Sequence, residues 1–155
     1  VKIFIAADHG GFALKKFLIS ELVDASSSYK KNNETNEVVD LGTDSEASVD
    51  YPDFAEKLCH KILSEKGSLG ILVCGSGQGM CMKANRFKNI RAALCWDLVS
   101  ARLTREHNDA NVLCLAGRQI PLGLALDITK IFLTTPFSQG IRHQNRIKKL
   151  DLGDT

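Results

Sequence analysis

The sequence predicts an α/β fold: one domain over residues 1–155, built as a doubly wound (Rossmann-like) parallel sheet of about five strands with helices on both faces. Three observations predict it. Short apolar runs that do not alternate with polar residues recur along the chain, as buried parallel strands do. Between them lie stretches whose apolar residues return every three or four positions, the mark of an amphipathic helix. The two kinds of segment alternate along the chain, which implies right-handed crossovers and helical cover on both sides of one sheet.

The elements follow in order. Val1 to Ala7 is a nearly continuous apolar run that ends in Asp8-His9-Gly10-Gly11, a strand entering a strand-to-helix loop. Leu14, Phe17, Leu18 and Leu22 then share one helical face, with Lys15, Lys16 and Glu21 on the other side. Residues 26–36 are polar, without periodicity, and are read as an exposed loop before the short strand Val38 to Leu41. Phe54, Ala55, Leu58 and Ile62 mark a second helix ending near Gly67, and Leu69 to Cys74 is the third strand. Glycine-rich Gly75 to Gly79 leads into a short helix toward Asn85. A strand Arg91 to Cys95, a helix Asp97 to Glu106, a strand Val112 to Leu115 and a helix from about Pro121 to Leu133 come next. A last helix over about 138–150 follows Pro136 and carries Arg142, Arg146 and Lys149 on one face.

Composition narrows the function. Twenty Lys+Arg against eighteen Asp+Glu leave a formal charge of +2, so any cationic function must be local and a nucleic-acid partner is not expected. No apolar run is long enough to cross a bilayer, and Val1 to Ala7 is too short for a signal sequence. A soluble, cytoplasmic protein without a membrane partner is therefore expected. Five cysteines, at 59, 74, 81, 95 and 114, include no CxxC pair and none at zinc-finger spacing from a His, which argues against disulfides and structural zinc.

Reactive residue types gather in two loops that follow strand carboxyl ends, Asp8-His9-Gly10-Gly11 and Cys74-Gly75-Ser76-Gly77-Gln78-Gly79. Both should face one crevice. Three alternating glycines let successive backbone N–H groups point at an anion, or at an oxygen that turns negative during reaction. The same glycines are equally compatible with a plain tight turn. The loop lacks the Gly-Lys-Ser/Thr ending of a P-loop and does not match G-x-G-x-x-G, and Met80 stands where a cysteine phosphatase needs Arg. A Cys is ordinarily a small buried hydrophobe. At the mouth of such a loop, however, the Cys74 thiol could serve as a base or as a nucleophile.

Elsewhere the residues alone leave more open. His107-Asn108-Asp109 falls at a helix end before a strand, where a surface His favoured by the helix dipole is the simpler reading. His60 and His143 read as surface or packing residues. Arg142 and Arg146, four apart, could hold a phosphate between them or belong to a solvated basic face, and Arg118 is a third candidate for the same anion.

These segments resemble, over nearly the whole chain, the type B ribose-5-phosphate isomerases, a family that also includes galactose-6-phosphate and allose-6-phosphate isomerases. The matching segments are Asp8-His9-Gly10-Gly11, Asp50-Tyr51-Pro52, Cys74 to Gly79, Ala84-Asn85-Arg86, Ile90-Arg91-Ala92, His107 to Leu113, Gly117-Arg118 and Arg142-His143-Gln144-Asn145-Arg146. The resemblance implies interconversion of an aldose phosphate and its ketose through an enediolate, with no cofactor, metal or nucleotide. It implies that Cys74 shuttles the proton between two carbons, while Gly75, Gly77, Gln78 and Gly79 belong to the loop whose N–H groups shelter the enediolate oxygens. Ser76, where relatives often have Thr, would move a proton among those oxygens. His107 would open the furanose ring and Asn108 would bind the sugar, which displaces the surface reading of His107. Asp8 and His9 would bind substrate, Tyr51 would line the pocket, and Arg118, Arg142 and Arg146 would surround the phosphate. The resemblance also implies a homodimer or a tetramer with shared sites, in which His107, Asn108 and Arg118 reach a neighbour's Cys74.

Departures from the family pattern are a longer 26–36 loop, Gly140-Ile141 where many relatives have two glycines, and a first residue, Val1, that suggests a missing initiator Met. Ser76, Gln78 and Met80 leave the choice between pentose and hexose phosphates open. Hexose 6-phosphate isomerisation, or sugar-phosphate binding without turnover, are the alternatives. A signalling receiver domain is set aside because Cys74 stands where its acceptor Asp should be.

Overall fold

The computed structural model describes residues 1–24 and 36–151. The loop expected at 26–36 lies, all but its last residue, outside them. In chain order the elements are β1 (Lys2–Ala7), α1 (Phe12–Val23), β2 (Glu37–Asp40), α2 (Tyr51–Ser64), β3 (Leu69–Cys74), α3 (Gln78–Ala84), β4 (Ala92–Leu94), α4 (Leu98–Asn108), β5 (Val112–Ala116), α5 (Leu122–Thr134) and α6 (Ile141–Leu150). The strands form one sheet in the order β2-β1-β3-β5-β4, every adjacent pair parallel.

The two-residue period of each strand divides the core. Ile3, Ile5, Ile71, Val73, Leu113 and Leu115 face α1, α4 and α5, meeting Leu14, Leu18, Ala101, Ala125 and Phe132. Phe4, Ala6, Leu72, Cys74, Val112 and Cys114 face α2 and α3, meeting Ala55, Leu58 and Met80. Burial on both faces is why these strands read as continuous apolar runs. Each fully buried Leu, Ile or Phe side chain contributes roughly 1.5–3 kcal/mol. That is enough to hold an element with little stability of its own, such as α3, whose Met80 and Ala84 are fully buried.

Several boundaries differ from the sequence expectation by a residue or more, and three of the differences have a visible cause. β4 begins at Ala92, because the Arg91 N–H donates to Asn111 Oδ1 at 2.8 Å. α2 stops at Ser64, before an extended Glu65 and a Gly67 with φ of +81°. α6 starts at Ile141, after Gln139 at φ +61° and an extended Gly140.

Candidate active site

The strand order sets β1 beside β3, and the chain leaves them toward opposite faces, α1 on one side and α3 on the other. A crevice opens at such a switch point, beyond the strand carboxyl ends. Three loops meet there. A β-carbon added to Gly10 would stand 3.0 Å from Gly75 N, and one on Gly117 would stand 2.9 Å from Gly10 O. One on Gly11 would fall 2.2 Å from Val73 O, so only glycine lets the first loop lie this close to β3. Gly117 N–H donates to Cys74 O at 2.8 Å and Arg118 N–H to Gly75 O at 3.1 Å, tying the loop after β5 to the glycine loop.

Within this crevice Cys74 ends β3 with 4% of its surface exposed, and Ser76 Oγ accepts the Gln78 N–H at 3.4 Å. Gly77 caps α3 at φ +73°, packed against Leu94 and the Leu115 carbonyl. Gln78 is exposed, and the ring of Tyr51 lies over Gly79, 2.6 Å from where a β-carbon would be. Asp8 is buried and accepts the Gly11 N–H at 3.1 Å, while His9 Nδ1 accepts the Val49 N–H at 3.2 Å. Arg118 is exposed beside the loop, with its guanidinium 3.6 Å from a β-carbon built on Gly75.

His107, Asn108, Arg142 and Arg146 are not there. Helix α4 ends at Asn108 and the chain enters β5 at Val112, the amino end of the sheet. Ala116, the register partner of Cys74, is four residues further on, or roughly 13 Å at the rise of a strand. α6 packs on α4, and His143 stacks on His107 with ring centroids 4.3 Å apart. Arg142 and Arg146 therefore belong to the far end as well. Within the chain Arg118 therefore stands apart from His107 and Asn108, with which the sequence reading grouped it. β5 ends beside β3, so Arg118 falls on its own chain's glycine loop. Among the described residues no acidic side chain pairs with Arg118, Arg142 or Arg146.

A polar network that sequence reasoning missed fixes the far end. Arg91 donates to the Asn108 and Asp109 carbonyls at 2.9 and 2.8 Å, and Arg105 Nη1 to Asp109 Oδ1 at 3.0 Å. Asp109 sits at φ +45°, and an Asp directly after a helix is the signal that could have marked it. A cavity of about 450 Å³ opens here, lined by Lys66, Asn89, Arg91, Arg105, Asp109 and Asn111. Its size does not make it the reaction site, since both guanidiniums are already spent on Asp109 and on backbone carbonyls.

Cysteine environments diverge. Burial pushes Cys59 and Cys95 each up to about 12. Cys81 is held down at about 7 by its contact with the Cys114 thiol, with help from the Leu94 backbone and Asn85, and burial pushes the other way. Cys114 is pushed up by the same contact and by burial. Among the described residues no cluster of His, Cys, Asp or Glu could hold a metal ion, and no helix is long and apolar enough to cross a membrane.

A parallel sheet with a cysteine and a glycine loop beyond the carboxyl ends of its strands, at a switch point, places the chain among the α/β proteins that offer a ligand crevice there. The family described as Ribose/Galactose Isomerase matches residues 3–150, and the chain belongs to that family. Escherichia coli (strain K12) ribose-5-phosphate isomerase B is 37% identical over 96% of this chain and 93% of its own length. The structure of a ribose 5-phosphate isomerase from Thermotoga maritima superposes with a TM-score of 0.89 at 49% identity, covering 98% of both chains. The type B enzyme of Trypanosoma brucei gives 0.88 at 39% identity over 99% of this chain and 98% of that one. This protein is thus an aldose-ketose isomerase by family, with five parallel strands as its sequence predicts.

Proposed function

We propose that the chain interconverts ribose 5-phosphate and ribulose 5-phosphate through an enediolate. The observation that carries the reading is Cys74 at the switch point, with Gly75 between it and Arg118, with which no acidic side chain among the described residues pairs. Cys74 Sγ takes the proton from C2, and the C–H electron pair forms the C1–C2 double bond as O1 becomes an oxyanion. N–H groups of the loop from Gly75 to Gly79 shelter that charge. A carbon acid this weak needs its oxyanion stabilised more than it needs a stronger base. The Ser76 hydroxyl passes a proton from O2 to O1, and Cys74 returns its proton to C1. Asp8 and His9 hold the sugar hydroxyls, Gln78 borders the loop and Tyr51 walls the pocket.

Ring opening by His107, sugar binding by Asn108 and phosphate binding by Arg142 and Arg146 require a second copy of the chain. These residues lie at the amino end of the sheet, and Cys74 and Arg118 at the carboxyl end. A two-fold homodimer that sets the far end of one chain against the crevice of the other completes two equivalent sites.

Replacement of Cys74 by Ala tests the base. Conversion of ribose 5-phosphate and solvent tritium exchange into the sugar should both vanish, while phosphate-sugar binding and the melting temperature persist. Conversion at the wild-type rate removes Cys74 from the mechanism. Comparing kcat/KM for ribose 5-phosphate with those for allose and galactose 6-phosphates tests the substrate, and a larger value for a hexose transfers the reading to that sugar.

A further inference from the structure

His107 and His143 stand face to face, with ring centroids 4.3 Å apart and planes within 12° of parallel. The chain around them is shaped to hold the second ring. Ser138 gives both its N–H and its hydroxyl to the Glu106 carbonyl, at 3.2 and 2.6 Å, one residue before His107. Gln139 turns through φ +61°, and Gly140 leaves space for the imidazole, since a β-carbon there would stand 3.2 Å from His143 Cδ2. Helix α6 buries none of its residues, so polar ties and the ring stack, rather than a core face, hold it: this clamp at its start and, at its end, the Asn89 N–H donating to Asp151 Oδ2 at 3.3 Å.

We propose that His143 is a positioning residue, whose ring fixes the plane of His107 and couples it to the positive field of the Arg142–Arg146 pair. The proposal rests on the isomerase reading, in which His107 opens the sugar ring. Two imidazolium rings at this separation repel, so the pair favours holding one proton over two. Burial, then His107, then Arg142 and Arg146, all hold His143 below the ordinary histidine range. The neighbouring Glu106 carboxylate is taken up by Arg102 at 3.0 Å and offers the rings little counter-charge. An anion across the two arginines cancels part of this positive field. A phosphate ester arriving there therefore eases a proton onto the pair at the moment when ring opening needs one, and its departure releases that proton.

Two variants and a titration test this. His143→Ala should lower kcat on ribose 5-phosphate roughly 10- to 100-fold with little change in KM, the size expected of a misplaced acid-base group. His143→Phe, which keeps a flat ring against His107 but can hold no proton, should recover the part of that loss that comes from misplacing His107, and no more. By NMR, His143 should titrate at higher pH in His107→Asn than in the wild type, and inorganic phosphate should raise the wild-type midpoint. Wild-type kcat in His143→Ala, or a His143 midpoint indifferent to both His107→Asn and phosphate, overturns the proposal. The titration needs no turnover. If the wild type converts no sugar phosphate while the midpoint still responds, the isomerase reading fails and the coupling of the rings stands.

Discussion

Gly10 and Gly75 touch across the switch point: a β-carbon on the first would come within 3.0 Å of the amide nitrogen of the second. The loops after β1 and β3 are therefore one surface, and side chains on either are placed by the other.

Glycine substitutions should separate this contact from ordinary helix effects. Gly11→Ala drives a methyl to 2.2 Å from the Val73 carbonyl, a backbone atom that cannot turn aside. Thermal or denaturant unfolding should show a loss of about 3 kcal/mol, at the upper end of overpacking costs. Gly123 in α5 has open space around its added β-carbon, and Gly123→Ala should gain about 0.5–1 kcal/mol. Equal effects at the two positions contradict the packing described.

A shared site predicts complementation. Cys74→Ala and His107→Asn should each be inactive alone. Mixed in equal amounts and allowed to exchange subunits, half of the dimers carry one intact site of two, so about a quarter of wild-type activity should return. No recovery after proven exchange places both residues in the same chain's site.

Much of the fold was legible because its signals are local. β1, β3 and β5 are buried on both faces and read as unbroken apolar runs, and α2 shows its buried face at Ala55, Leu58 and Ile62. The start of α6 was misread because Ser138 spends its donors on Glu106, a partner remote in sequence. Of the site, Asp8, Cys74 and the glycines were visible, since loops after strands carry their own composition. That Arg118 joins them while Arg142 and Arg146 do not depends on strand order and on the α4–α6 packing, which no single segment encodes. The ring stack hid for the same reason: each histidine alone looks like a surface residue.

Thiol labelling should discriminate among the cysteines. With Cys81 held at about 7 and Cys59 and Cys95 at about 12, iodoacetamide near neutral pH should modify Cys81 well before those two. Its rate should climb as pH rises through 7, the direction in which thiolate accumulates. Peptide mapping that finds Cys59 or Cys95 modified first contradicts the environments described.

Acid stability should depend on Asp97. Its Oδ1 accepts the Ser100 N–H at 2.7 Å while Ser100 Oγ accepts the Asp97 N–H at 3.2 Å, a reciprocal cap on α4. The Ser100 backbone bond holds this carboxyl below its ordinary range. Its folded value thus lies under its unfolded one, so the stabilisation is present above the unfolded value and is lost as pH falls through the folded one. Asp97→Ala should lower Tm at neutral pH, with the gap to wild type closing in acid. Asp97→Asn should keep most of the neutral Tm. A gap that stays constant from neutral pH into strong acid contradicts the cap's charge.

If the site is shared as proposed, a solitary chain, with the thiol on one rim of the sheet and Arg142 and Arg146 on the other, holds two half-sites that cannot close on each other. Under the proposed sharing, a freshly synthesised copy is silent until it meets another. Specific activity should then fade on dilution, making the cell's stock of this protein a control on its own output.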